Sequence, residues 1–92
     1  MRYLIKFSKG EGIKFISHLD LMRTIQRIIR RSGVPIEYSK GFNPHMALSL
    51  AQPLSVGVYS DGEYMDIVLT EEMKVADLLA RLNEAAPPTI RF

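Results

Sequence analysis

Hydrophobic residues stand at every second position near the start of the chain, which is typical of a half-buried strand. Tyr3, Ile5 and Phe7 follow this period among polar neighbours. We therefore predict a strand at 2–8, followed by a loop that contains two glycines.

The next segment changes to helical spacing. We predict a helix over 17–32, in which Ser17 caps the first turn, Asp20 completes a shortened capping box and Gly33 ends the helix. Its apolar side consists of Leu21, Met22, Ile25, Ile28 and Ile29, and its opposite side of Arg23, Arg27, Arg30 and Arg31. The helix is therefore strongly amphipathic.

The rest of the chain predicts short strands and one further helix. Strands are expected at 36–38, 46–51, 54–59, 63–69 and 89–92. Thr70 is the expected cap of a helix over 72–86, which ends at Pro87–Pro88. The buried stripe of this helix should be Val75, Leu78, Leu79 and Leu82.

The element order is β-α-β-(hairpin)-β-α-β, which fits a ferredoxin-like α+β sandwich. We expect one domain over 1–92, with an antiparallel sheet and both helices on one face. The predicted core consists of Ile5, Phe7, Met22, Ile25, Ile29, Val68, Leu79 and Leu82.

Composition excludes several classes of chemistry. The 92 residues include no cysteine, which rules out a disulfide, a thiolate nucleophile or a cysteine-bound cluster in this chain. We expect no cofactor or metal here, since no phosphate-loop, dinucleotide or zinc-binding spacing is present. No signal peptide or membrane span is predicted, so the expected location is cytoplasmic with no membrane partner.

Charge divides the chain into two unlike parts. Residues 1–45 carry nine Lys/Arg and three acids, whereas residues 46–92 carry three Lys/Arg and seven acids. This asymmetry indicates either an anionic partner on the basic part or neutralisation of one part by the other within the fold. The arginine side of the first helix is open to the same two interpretations: it is a solvated face, or it binds phosphates. The absence of an acid after Asp20 in that helix slightly favours phosphates.

The predicted topology brings two segments to one edge of the sheet. If the strand at 36–38 runs parallel to the first strand, residues 17–20 and 40–45 should be neighbours. This edge would hold His18, Asp20, Lys40, Asn43 and His45. Structural roles are open for each: a buried or capping His18, a helix-capping Asp20 paired with Arg23, a turn at Asn43–Pro44 and a solvated His45.

Five segments resemble a known bacterial family. RYLIKFSK at 2–9, FISHLDLMR at 15–23, YSKGFNPH at 38–45, LSLAQPLSVGV at 48–58 and GEYMD at 62–66 are similar to the radical-SAM-linked domain of unknown function. Genes of that family often lie near ribonuclease E/G and ribosomal-protein genes. The family domain is longer, so the resemblance implies that this chain is an N-terminal portion of it. Any radical chemistry would then come from a partner enzyme, because its cluster needs three cysteines.

Three functions follow from these observations. The first is a non-catalytic module that binds RNA or a ribosome-related particle and assists a radical SAM protein; Arg23, Arg27, Arg30, Arg31, Lys40 and Asn43 are its candidate binding residues. The second is protein interaction or dimerisation through an open sheet edge at 89–92. The third is a metal-independent ribonuclease, with His18 and His45 as acid and base and Lys40 as the cation.

Overall fold

A computed structural model describes residues 1–9, 17–50 and 63–92. Its elements are β1 (Arg2–Lys9), α1 (His18–Ser32), β2 (Leu48–Leu50), β3 (Glu63–Val68), α2 (Val75–Ala85) and β4 (Ile90–Arg91). The four strands form one antiparallel sheet in the order β2-β3-β1-β4. This order confirms the ferredoxin-like α+β class. The predicted strand at 54–59 lies outside the described residues.

One face of the sheet is buried and the other is open. In the two central strands, Ile5 stands opposite Met65, and both side chains are buried. The intervening positions face away from the core, as shown by Leu4, which is 69% exposed. Val68 lies opposite Arg2 in this outward row and is only partly buried. Its predicted place in the core is therefore wrong, because the strand buries Met65 and Ile67 and keeps the alternate positions outside.

Both helices cover the buried face. The predicted apolar side of α1 is confirmed, since Leu21, Ile25, Ile28 and Ile29 are buried and Met22 packs against them at the edge. In α2 the buried residues are Leu78 and Leu82, with Leu79 partly buried. They form one core with Phe7, Met65, Ile67 and Ile90.

The second helix begins later than the sequence predicts. Thr70 does not cap it; the Thr70 hydroxyl donates to the Pro35 carbonyl at 3.2 Å, and Lys74 occupies the cap position. The later start of the helix is explained by the Tyr3 hydroxyl, which binds Met73 directly before the cap residue. This hydroxyl donates to the Met73 carbonyl and accepts from the Met73 N–H, both at 2.8 Å. These bonds hold the segment before α2 against the sheet. Val75 is consequently 57% exposed, not part of a buried stripe.

Both ends of α1 match their predicted caps. The Ser17 side chain accepts a hydrogen bond from the Asp20 N–H at 3.2 Å. At the other end, Gly33 adopts the left-handed conformation, with φ at 74°. Glycine reaches this region without the steric cost that a Cβ atom imposes, which makes it a common helix stop.

The open sheet face carries an ion pair across its central strands. The Arg2 Nε donates to both carboxylate oxygens of Asp66, at 3.0 and 2.8 Å. The hydrogen bond from Arg2 lowers the pKa of the Asp66 carboxyl below its ordinary value.

We expect an NMR titration of the Asp66 carboxyl to show this lowered pKa, and Arg2→Gln to return it toward the ordinary value. Because the folded pKa is lowered, the pair stabilises the fold above the unfolded pKa. That contribution is lost as the pH falls through the folded pKa. An Asp66 pKa that does not respond to Arg2→Gln would contradict the assignment.

Within the residues that the structure describes, no helix has the length and apolar character needed to cross a membrane.

Candidate nucleic-acid interface

The outer side of α1 presents four guanidinium groups to solvent. We call Arg23, Arg27, Arg30 and Arg31 the arginine face; all four are exposed. The opposite side of the helix is fixed by burial of Ile25 and Ile29, so the core itself orients the arginines outward. The predicted placement of these four residues is confirmed, and their role in binding remains a prediction.

Most of the arginine face lacks a carboxylate partner. Arg23 pairs with Asp20 across 3.7 Å, between two well-exposed side chains. Among the described residues, no carboxylate forms a salt bridge with Arg27, Arg30 or Arg31. Like charges one helical turn apart weaken a helix slightly, whereas Arg30 and Arg31 in the last turn interact favourably with the helix dipole, so the two effects on the stability of α1 oppose each other. The arginine face does provide planar donors suited to bidentate contacts with phosphate oxygens.

A groove runs beside the arginine face, between α1 and the C-terminal part of α2. It is lined by Thr24, Arg27, Ile28, Arg31, Ala85, Ala86 and Pro87. A neighbouring hollow places Arg31 beside Arg81 and Glu84 of α2. Arg81 is not among the predicted site residues, since it lies in the acidic part of the sequence. Only the packing of the two helices brings it to the basic side.

The expectation that residues 17–20 and 40–45 share one edge is wrong. Ile36 bridges to Leu69 and Tyr38 to Met46, so this segment lies at the end of the sheet where β1 begins and β3 ends. We call it the Met1 end. The second strand of the fold is β2, not the segment at 36–38, and residues 39–45 come before it. The sequence predicts that this loop follows the second strand, whereas in the structure it precedes that strand.

The first turn of α1 lies toward the opposite end. The α2 helix starts near the Met1 end, because Tyr3 binds Met73 just before the helix. It finishes at the opposite end, because Asn83 near its last turn binds Phe92. Residues 24–31 of α1 line a groove with 85–87, whereas Arg31 and Ser32 line a hollow with the preceding residues Arg81 and Glu84. The two helices therefore run antiparallel. It follows that α1 ends, and does not begin, at the Met1 end.

This topology separates the backbones of the two residues proposed as acid and base of a ribonuclease, and their catalytic role stays a prediction. His18 is the first residue of α1, and His45 is an exposed residue of the 39–45 loop at the other end of the helix. A helix of 15 residues is about 22 Å long, so the backbones of these two residues lie toward opposite ends of α1. Lys40 and Asn43 are exposed in the same loop as His45.

The loop also contains an aromatic residue that is not among the predicted site residues. Phe42 lies between the candidates Lys40 and Asn43 and is the most exposed large hydrophobic side chain in the described part of the molecule. The sequence signal for this residue is that Phe42 lies inside a turn with glycine and proline and belongs to no periodic apolar pattern.

The open edge expected at 89–92 is reduced to a strand of two residues. β4 lies at the edge of the sheet and pairs with β1 at Ser8 and Lys9. Very short edge strands offer few free backbone groups to a partner strand. Dimerisation through this edge stays a prediction that rests on a strand of two residues.

A protein-family model described as "Uncharacterized protein conserved in bacteria (DUF2344)" matches residues 2–92. Neither the curated proteins nor the solved structures include one that matches the chain. In the described residues, no group of three or more His, Asp or Glu side chains is placed to hold a metal ion.

Proposed function

We propose that this chain, which belongs to the uncharacterised bacterial family DUF2344, is an RNA-binding module that contacts phosphates through its arginine face. The observation that carries the proposal is the set of exposed guanidiniums at Arg27, Arg30 and Arg31, none of which pairs with a described carboxylate. Phosphate contacts by arginine supply most of the affinity of a basic surface for nucleic acid.

A membrane surface is a poorer partner for the same helix. Basic amphipathic helices bind anionic lipids by burying their apolar side in the bilayer interface. In α1 that side is already buried, since Ile25 and Ile29 are 0% and 1% exposed. Membrane binding would therefore require the core to open, whereas phosphates can reach the arginines without any change in fold.

The choice of RNA and the link to a radical SAM protein both rest on the resemblance in the motifs at 15–23 and 38–45. Neighbouring ribosomal-protein genes in that family favour RNA or a ribosome-related particle. Because this chain has no cysteine, a partner protein would hold the iron–sulfur cluster. A complex between the purified chain and a radical SAM protein would support this association, and no complex at tens of micromolar would remove it.

Binding is tested by titrating fluorescently labelled total tRNA with the protein at low salt. The arginine face predicts measurable affinity, with a log–log salt slope of roughly −2 to −3 if three phosphates are neutralised. Absence of binding at tens of micromolar protein would refute the proposal. Binding that does not depend on salt would also refute it, because phosphate contacts release counterions.

A further inference from the structure

One phenylalanine is fully exposed at the tip of the 39–45 loop. Phe42 is 105% exposed, whereas Phe7 is 2% exposed and Phe92 packs against the core. A ring in this position contributes no burial to the fold. Its presence at the tip therefore needs an explanation outside the folding of the chain.

Hydrogen bonds at the base of the loop hold it in shape. The Ser39 N–H donates to the His45 carbonyl at 2.8 Å, and the His45 N–H donates to the Ser39 hydroxyl at 2.9 Å. Below this pair, Tyr38 bridges to Met46, whose side chain is buried in the core. The loop is thus closed at its base and anchored to the domain, with Phe42 projecting from it.

The residues around Phe42 suit a nucleotide. Tyr38 is 45% exposed, Lys40 supplies a cation and Asn43 an amide, and residues 38–46 contain no acid. The nearest acid along the chain is Glu37, just before this segment. Aromatic rings stack on bases, cations contact phosphates and amides read base edges, which is the combination found where proteins bind single-stranded nucleic acid.

The corrected topology places this loop at the same end of the molecule as the last turn of α1. Arg30 and Arg31 lie in that last turn, and three residues separate Ser32 from the Ile36 bridge at the Met1 end. An RNA strand whose phosphates lie along the arginine face would therefore extend toward Phe42. The sequence alone predicts the opposite placement, with the loop near the start of α1.

We infer that the 39–45 loop binds an unpaired RNA base by stacking it on Phe42, while Lys40 contacts the adjoining phosphate. This inference rests on the proposed function, since it assigns the arginine face to the phosphates of the same RNA. It adds a preference that the arginine face cannot provide: RNA with unpaired bases is bound more tightly than a continuous duplex. Sequence-specific proteins also select unpaired bases, because these can be stacked and read on their edges.

The test compares one RNA stem with and without a loop. Affinities of a labelled stem-loop and of the blunt duplex of the same stem are measured by fluorescence anisotropy for wild type, Phe42→Ala, Phe42→Trp and Phe42→Leu. We expect Phe42→Ala and Phe42→Leu to weaken stem-loop binding by roughly 5- to 150-fold, the value of one stacked base. Phe42→Trp should retain the affinity, and all four proteins should bind the duplex equally.

The outcomes separate this inference from the proposed function. Equal binding of both RNAs by wild type, unchanged in Phe42→Ala, would overturn base stacking and leave the arginine face intact. Full stem-loop affinity in Phe42→Leu would also overturn it, because leucine offers an apolar surface but no ring; that result would favour an apolar protein pocket as the occupant. If wild type binds neither RNA, the proposed function itself fails.

Discussion

Replacing Arg27, Arg30 and Arg31 together with glutamine is expected to weaken RNA binding roughly 100- to 1,000-fold near 0.1 M salt, the loss that three phosphate contacts imply. Glutamine has a helix propensity close to that of arginine and keeps the surface polar, so α1 should remain folded. The fluorescence titration used for wild type measures the loss, and far-UV circular dichroism checks the fold.

A matched control removes the same charge elsewhere. Lys6, Lys74 and Arg91 are also exposed, and none of them lies on α1. Replacing these three with glutamine changes the net charge equally but should weaken binding by less than about tenfold, through the general field of the protein alone. Equal losses in the two triple variants would show that net charge, not the arginine face, determines affinity.

A second large effect is expected in the core. Phe7 is 2% exposed, and its ring centroid lies 5.9 Å from that of Phe92. Phe7→Ala should lower the free energy of unfolding by about 3–5 kcal/mol, since it removes buried area and leaves a cavity. Small domains have only about 5–15 kcal/mol in total, so this variant should be partly or wholly unfolded at 37 °C.

Urea denaturation followed by circular dichroism measures this change. Phe7→Leu is the control, because it keeps an apolar side chain at the site and should cost less than half as much. Phe92, the aromatic neighbour of Phe7, is itself held by Asn83, whose side chain donates to the Phe92 carbonyl and accepts from the Phe92 N–H at 2.9 Å. A loss below about 1 kcal/mol for Phe7→Ala would contradict the described core.

The elements with a clear period could be predicted, and those fixed by tertiary contacts could not. β1 and α1 follow from alternation, helical spacing and the caps at Ser17 and Gly33. The start of α2 is set by Tyr3, a residue 70 positions from Met73, so no local signal near Thr70 could reveal it. Val68 shows the same limit, because a shift of one residue moves a strand position to the other face.

In the candidate site, too, the local pattern could be predicted and the tertiary contacts could not. The arginine face is a property of one helix, so periodicity alone could identify it. The position of the 39–45 loop depends instead on which segment pairs with β3. The sequence predicts a full strand at 36–38, where the structure has only single bridges at Ile36 and Tyr38. This single difference in pairing moves His45 away from His18 and brings Lys40 to the end where Arg30 and Arg31 lie.

The most direct measurement of the central claim follows the side-chain Nε–Hε signals of the arginines by NMR while RNA is added. Arg2 and Arg91 serve as internal controls, since Arg2 lies on the open sheet face in its pair with Asp66 and Arg91 in β4. The account predicts that the Arg27, Arg30 and Arg31 signals shift with saturation while these controls stay in place. Shifts confined to Arg2 and Arg91, with the arginine face unchanged, would contradict it.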